Sequence, residues 1–390
     1  MGWFTDARTF GKSLARLLGL SRPALRGLAR SGYFRPDLED CGRERILLLA
    51  PGWLGDVFWA SQVARPLAER FGGGALWVAT SPRARGLWRG VVADERVIEA
   101  PGLVSDRLRE GANWRSLWSE AARLRAEGFD LVLDLCSNPF SALVAFAARP
   151  ARSVGLALHE LAELYSVAQP PPARGSHLAL RPWHVAAPLL ETAPPEAPPE
   201  PRPLPLPGSV AGRWAALEAL GLEPRAALAV LAPGAGWAGK RWPAARFARL
   251  AEALEERQFE VAAVGSADEE ALCAQVVAGT RRGRAIAGAD LGGIAVLLAS
   301  ARLVVCNDSG LSHLAAAAGT PTVALFNSTN PALCAPIGPR VSVLRSGCPH
   351  RPEGVLHHCH GVPAYPCPET CWEDTTVERV LAAARRLILG

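Results

Sequence analysis

No uninterrupted apolar run in the 390-residue chain approaches the ~20 residues that a bilayer-crossing helix needs. The N-terminus also lacks the apolar stretch that heads a secretory signal. These absences predict a cytoplasmic protein, in which the nine cysteines stay mostly reduced. Disorder is excluded by composition, since 49% of residues are hydrophobic and 20% charged. A formal net charge of +5 is modest. It suits an anionic substrate or a membrane surface and gives no argument for a nucleic-acid partner.

Acidic residues are missing altogether between Ala7 and Pro36, where Arg8, Lys12, Arg16, Arg22, Arg26, Arg30 and Arg35 recur mostly four or five apart. Leu14, Leu17, Leu18, Leu25 and Leu28 lie between them. Residues 1–44 are therefore a basic extension. It reads either as an amphipathic helix resting on anionic lipid at the inner face of the membrane, or as a solvated arm.

From Arg45 onward strands and helices alternate, which predicts an α/β fold with parallel sheets covered by helices on both faces. The strands are "RILLLA", "ALWVAT", "RVIEA", "DLVLDLC" and "SVGL" in residues 45–192. Residues 193–208, "APPEAPPEPRPLPLPG", are too rich in proline for helix or sheet and read as a linker. Alternation resumes in 209–390 with "ALAVLAPG", "FEVAAVG", "RLVVC" and "TVALF". Two Rossmann-like domains facing a cleft are expected, with ligands beyond the carboxyl ends of the strands.

"GAGWAGK" (234–240) fits two nucleotide-binding patterns and satisfies neither. As a dinucleotide fingerprint, Gly234, Gly236 and Gly239 should open a helix, but "KRWP" intervenes, and the next strand ends in Gly265 and Ser266 without a ribose-binding acid. As a phosphate loop, Lys240 should precede a magnesium-binding Ser or Thr, and Arg241 stands there instead. What remains is a glycine loop presenting Lys240 and Arg241 to a diphosphate. "CNDSGLSHLAAAAGTP" (306–321) leads a buried strand through Asn307, Asp308, Ser309 and Gly310 into a helix that carries His313 one turn in. Such a turn reads either as plain capping by Asp and Ser or as an anion site built on unpaired backbone N–H groups. No D-x-D pair exists to hold a catalytic metal ion.

Three segments, "ILLLAPGWLGDVFWASQVARPLAERF" (46–71), "LAPGAGWAGKRWPAARFARLAEAL" (231–254) and "VVCNDSGLSHLAAAAGTPTVALF" (304–326), resemble the ADP-heptose:lipopolysaccharide heptosyltransferases, glycosyltransferase family 9. The resemblance implies a GT-B architecture and inverting, metal-independent transfer of heptose from ADP-heptose to a lipid-linked saccharide of the lipopolysaccharide core. It gives Asp56 the role of catalytic base, Gly234, Lys240 and Arg241 the donor phosphates, and Asp308, Ser309 and Gly310 the diphosphate through backbone N–H groups, with His313 as a further donor. No cofactor is then required for catalysis. Another nucleotide sugar, or a protein acceptor such as an autotransporter, is the competing reading within the family; a sugar-nucleotide-binding protein without transfer activity is the competing reading outside it. On the acceptor side, Arg83, Arg85 and Arg89 follow the second strand, where they face either a phosphorylated sugar or plain solvent.

Near the C-terminus, Cys348, Cys359, Cys367 and Cys371 lie in one short segment with His350, His357, His358 and His360. Thiolates and imidazoles at this density predict a structural zinc or iron that orders the segment and holds the final helix, "TTVERVLAAARRLIL". The alternative is a proline-rich surface loop with incidental cysteines.

Overall fold

A computed structural model describes residues 45–103, 114–223, 227–347 and 369–389. The chain divides into two units, Met1–Pro199 and Glu200–Gly390. Between residues 193 and 208 there is neither helix nor strand. No helix among the described residues is long and apolar enough to cross a membrane.

The first unit is built on six parallel strands: β1 (Ile46–Ala50), β2 (Leu76–Thr80), β3 (Val97–Glu99), β4 (Leu131–Asp134), β5 (Arg152–Leu156) and β6 (Val167–Gln169). Their order in the sheet is β3-β2-β1-β4-β5-β6. The central strands are buried along their whole length and are apolar except for Asp134 at the end of β4, because helices cover both faces. Its helices are α1 (Leu54–Phe71), α2 (Trp114–Glu127), α3 (Pro139–Ala147) and α4 (Leu180–Leu190). Leu117 and Leu124 of α2 and Phe140, Leu143 and Val144 of α3 close over Leu47, Leu49 and Val132 of the sheet. Each such side chain, fully removed from water, contributes about 1.5–3 kcal/mol.

The second unit repeats the plan with β7 (Leu228–Ala232), β8 (Glu260–Gly265), β9 (Arg284–Ala287), β10 (Leu303–Asn307), β11 (Thr322–Phe326) and β12 (Val341–Arg345). The order is β12-β11-β10-β7-β8-β9, which is the first sheet's order read from the other edge. Helices α5 (Val210–Ala219), α6 (Ala244–Glu255), α7 (Glu270–Val277), α8 (Leu291–Ser300), α9 (Gly310–Ala317), α10 (Pro331–Cys334) and α11 (Val377–Leu389) accompany it. Trp242, Phe247 and Leu250 pack with Leu231, Val305 and Leu325, and the same cluster takes in Trp372 and Val380 near the chain's end.

The final helix is therefore anchored by packing and by hydrogen bonds from α6 and the loop before it. Trp242 Nε1 donates to Thr375 O at 2.8 Å, and Arg246 Nη1 donates to Thr375 O at 3.0 Å and to Trp372 O. Of the cysteines expected to hold a metal, Cys348, Cys359 and Cys367 lie outside the described residues. Cys371 is buried, and the described residues contain no group of three or more metal-ligating side chains.

In both sheets one pair of adjacent strands is separated in sequence by two others, β1 beside β4 and β7 beside β10. At such a switch point the connections leave in opposite directions, which opens a crevice at the carboxyl ends of the two strands. Asp56 follows β1, and the glycine loop and the Asp308–Gly310 turn follow β7 and β10, at these two places.

Candidate functional site

In the second unit, β7 leads into the glycine loop and β10 into the Asp308–Gly310 turn. Asn307 ties the two together: its Oδ1 accepts from Trp242 N at 3.0 Å and its Nδ2 donates to Pro233 O at 2.8 Å. One buried amide thus fixes both ends of the segment that carries Lys240. Lys240 Nζ lies 2.7 Å from Asp308 Oδ2 and 4.0 Å from the centre of the Trp237 ring. Thr329 Oγ1 donates to the same carboxylate oxygen at 2.5 Å, and Trp237 Nε1 donates to Ser328 Oγ at 3.3 Å. An ammonium held by a carboxylate and an aromatic face has little rotamer freedom left, so its charge is preorganised.

The capping alternative for the Asp308–Gly310 turn fails on geometry. Ser309 is the N-cap of α9, yet its side chain caps nothing, and its buried Oγ has no hydrogen-bond partner among the described residues. The Asp308 carboxylate faces Lys240 and Thr329. The Asp308 N–H is also engaged, by Leu325 O at 3.0 Å, which corrects the expectation that it would serve a diphosphate. The N–H groups of Ser309 and Gly310 remain, and the described residues supply them with no acceptor. Partial positive charge at this helix start, beside the Lys240 ammonium, is an arrangement that favours an anion. His313 is buried one turn further along α9.

Arg241 braces the loop: Nε and Nη2 donate back to Ala235 O at 3.2 and 3.0 Å, and Nη2 lies 3.6 Å from Glu269 Oε1. Glu269 was not foreseen. It lies four residues beyond the end of β8, where the sequence had shown no acid, and accepts from Ser266 N at 2.9 Å. Its carboxylate occupies the space that a Cβ on Gly234 would fill, with Oε1 2.2 Å from that position. Gly234 is a glycine because the acid packs directly against the backbone.

In the first unit, Asp56 sits in the first turn of α1, just beyond β1, and is exposed. Gly52 allows the turn to close: a Cβ there would lie 2.9 Å from Asp56 Cβ and 3.2 Å from Cys136 Sγ. Cys136 follows β4, so Asp56 and Cys136 mark the two sides of the β1/β4 switch point. Burial pushes the Cys136 thiol well above its ordinary pKa, and the neighbouring Asp134 and Asp56 add to that shift.

Beneath Cys136 lies a buried polar network. Asp134 Oδ1 accepts from Cys136 N at 3.1 Å and Ser137 N at 2.8 Å, and Oδ2 accepts from Tyr165 Oη at 2.6 Å. Ser137 has a φ of 46°, and its Oγ donates to Asp134 O and accepts from Leu156 N. Burial raises the Asp134 pKa to about 6 despite these donors, and burial lowers that of His159, whose Nε2 meets Ser137 O at 3.2 Å, to about 4. The network fixes the turn against which Asp56 rests.

Arg83 and Arg89 are exposed beyond β2. Arg85 is turned to a structural purpose: Nη1 donates to Val97 O and Nη2 to Asp94 O, both at 2.8 Å, and Nη2 also meets Asp94 Oδ1 at 3.0 Å. It holds the approach to β3.

Two Rossmann-like parallel sheets in one chain, each carrying polar groups at its switch point, define the GT-B class of folds. The sequence model of Glycosyltransferase family 9 (heptosyltransferase) matches residues 117–358, and the chain belongs to that family. Lipopolysaccharide heptosyltransferase 1 of Pseudomonas aeruginosa is 40% identical over 110 residues, 28% of this chain and 31% of that protein. Lipopolysaccharide heptosyltransferase 2 of Escherichia coli K12 is 33% identical over 120 residues, 29% of this chain and 34% of that protein. These matches span about a third of the relatives' length. Among solved structures, the E. coli ADP-heptose lps heptosyltransferase II superposes with a TM-score of 0.69 at 22% identity, covering 88% of this chain and 98% of that one. The E. coli heptosyltransferase WaaC with ADP gives 0.63 at 20% identity, covering 88% and 99%. At these identities the superpositions establish the fold.

Proposed function

We propose that the protein transfers a heptose from ADP-heptose to a saccharide of the lipopolysaccharide core or a related acceptor, with inversion and without a catalytic metal. The observation that carries this reading is the Lys240–Asp308 pair, at 2.7 Å, set beside the uncapped start of α9. The arrangement suits a leaving diphosphate, whose growing charge needs fixed donors in place before reaction. Family membership supports the class of reaction, and the similarity to heptosyltransferases supports the sugar.

In this mechanism the acceptor hydroxyl loses its proton to Asp56 as its oxygen attacks the anomeric carbon. A hydroxyl is a poor nucleophile at neutral pH, and a carboxylate within hydrogen-bond reach supplies the missing drive. The bond to the nucleotide breaks on the opposite face, so the anomeric configuration inverts. ADP leaves with its charge met by Lys240 and by the N–H groups of Ser309 and Gly310. Glu269, just beyond the end of β8, the strand next to β7, stands where an acid in this fold accepts from ribose hydroxyls. The acceptor is lipid-linked, and the basic residues 1–44, which lie outside the described residues, would bring the enzyme to the inner face of the cytoplasmic membrane. A zinc or iron on the Cys348–Cys371 segment would be structural.

The test uses the full chain with ADP-heptose and delipidated core saccharide, following ADP release and the anomeric configuration of the product by NMR. Transfer that survives EDTA, with inversion, is expected. ADP binding without ADP release across a panel of nucleotide sugars and acceptors would instead identify a binding protein that does not transfer.

A further inference from the structure

Asn327, Ser328 and Thr329 are consecutive, polar and buried, at 1%, 1% and 0% exposure. Burying an amide and two hydroxyls costs free energy that apolar side chains in their place would not. β11 ends at Phe326, and beyond it the chain bends, so consecutive side chains need not alternate between faces as they would in a strand. Each of the three meets a different support of Lys240. Thr329 Oγ1 donates at 2.5 Å to Asp308 Oδ2, the oxygen that also meets Lys240 Nζ. Ser328 Oγ accepts at 3.3 Å from Nε1 of Trp237, whose ring centre lies 4.0 Å from the ammonium. Asn327 Nδ2 donates at 3.4 Å to Gly239 O, on the peptide that leads into Lys240. Ser346 Oγ in turn fixes that amide by donating to Asn327 Oδ1 at 2.8 Å. The carboxylate, the ring and the backbone that hold one lysine are thus tied to a single stretch of chain.

We propose that Asn327, Ser328 and Thr329 are positioning residues for Lys240, holding its ammonium where a diphosphate meets it. The proposal rests on the assignment of Lys240 to the donor diphosphate and deepens it. A lysine stem is long and flexible, and ordering it only when ligand arrives would weaken binding. The clamp orders it on folding instead, so the charge is in place beforehand. None of the three has to touch the ligand. Thr329 has the largest share, because it orients the carboxylate to which the ammonium is bound. Its hydroxyl also stabilises the Asp308 anion beside an incoming phosphate of the same sign. Since the three act through one ammonium, their effect falls on the diphosphate and not on the nucleoside.

Titration calorimetry of the full chain with ADP and with adenosine reads the effect without turnover. Thr329→Val keeps the shape and removes the hydroxyl. It should weaken ADP about three- to tenfold, the range of an ordinary hydrogen bond, and leave adenosine unchanged. Thr329→Ser restores a hydroxyl and should return parental ADP affinity. Ser328→Ala should act in the same direction and more weakly, because it releases only the Trp237 ring. In a chain that already carries Lys240→Met, neither Thr329→Val nor Ser328→Ala should weaken ADP further, since a positioning residue acts only through the group it positions. Losses that add to that of Lys240→Met would overturn the proposal, as would parental ADP affinity in Thr329→Val or an equal loss of adenosine by a folded variant. Parental ADP affinity in Lys240→Met would instead remove the donor-site reading on which the clamp depends. Circular dichroism shows that each variant is folded, and Ser328→Ala carries the same cycle should Thr329→Val fail to fold.

Discussion

Lys240 Nζ and Asp308 Oδ2 lie 2.7 Å apart, joining the loop after β7 to the turn after β10 across the switch point of the second sheet. Both side chains are nearly buried, at 13% and 7% exposure, so each depends on the other for solvation. Lys240→Met should leave the Asp308 charge with Thr329 as its remaining partner and cost about 3 kcal/mol, the lower end for a broken buried pair. Adding Asp308→Asn to Lys240→Met should restore most of that, because no uncompensated charge remains. Urea unfolding of the two single variants and the double variant gives the cycle; additive losses would mean that the pair is not coupled.

The same lysine should matter to ligand. Lys240→Met should weaken ADP binding about ten- to a hundredfold by calorimetry, the range for a hydrogen bond to a charged group. Arg241→Met should weaken it less, because Arg241 acts through Ala235 and Glu269. Equal losses would show that Arg241 touches the diphosphate directly.

Asp56→Asn keeps the shape of the first turn of α1 and removes the proton acceptor. Turnover should fall roughly 10²–10⁴-fold while ADP affinity holds. Transfer at the parental rate would remove Asp56 from the mechanism.

Much of this arrangement is legible in the sequence, and the parts that are not share physical causes. Central strands such as β1 and β10 announce themselves because they are buried along their length and carry an unbroken apolar run, ended in β10 by Asn307. The edge strands β6, β9 and β12 escape notice because a strand at the sheet edge is only partly buried and admits Gln169, Arg284 and Ser342, which break the apolar signal. Lys240 is readable from its glycine loop. Its pairing with Asp308 is not, since the two lie far apart in sequence and only the β7–β10 adjacency brings them together. Trp242 stood in the sequence as part of a family motif; the structure makes it a core residue that anchors the end of the chain. Glu269 gave no signal, because one acid in the run Asp268–Glu269–Glu270 at a helix start usually faces solvent.

Gly234→Ala should disturb the donor loop without touching the ligand. The added Cβ would displace the Glu269 carboxylate, which would lose Ser266 N or Arg241. Weaker ADP binding with little loss of stability is expected, and Glu269→Ala in the same chain should relieve the crowding. If Gly234→Ala binds ADP as the parent does, the close packing of Glu269 has no part in shaping the site.

The buried Asp134 gives a pH dependence whose sign can be worked out. Its pKa is about 6 in the folded protein against 3.8 when unfolded, so between these values the folded state holds the proton more tightly. Stability from this group is present below pH 3.8 and is lost as pH rises through 6, by about 3 kcal/mol in all. His159 works the other way. With a pKa of about 4 against 6.5, it stabilises the fold increasingly as pH rises across that window. In the parent the two slopes largely cancel between pH 4 and 6. Asp134→Asn preserves an acceptor for Cys136 N and Ser137 N and leaves a donor toward Tyr165, while removing the titration. The stability of Asp134→Asn relative to the parent should therefore climb by about 2 kcal/mol from pH 4 to pH 6.5. Denaturant midpoints across that range provide the measurement. A difference that stays constant with pH would mean that Asp134 is already ionised at pH 4, with the network around it strong enough to outweigh burial.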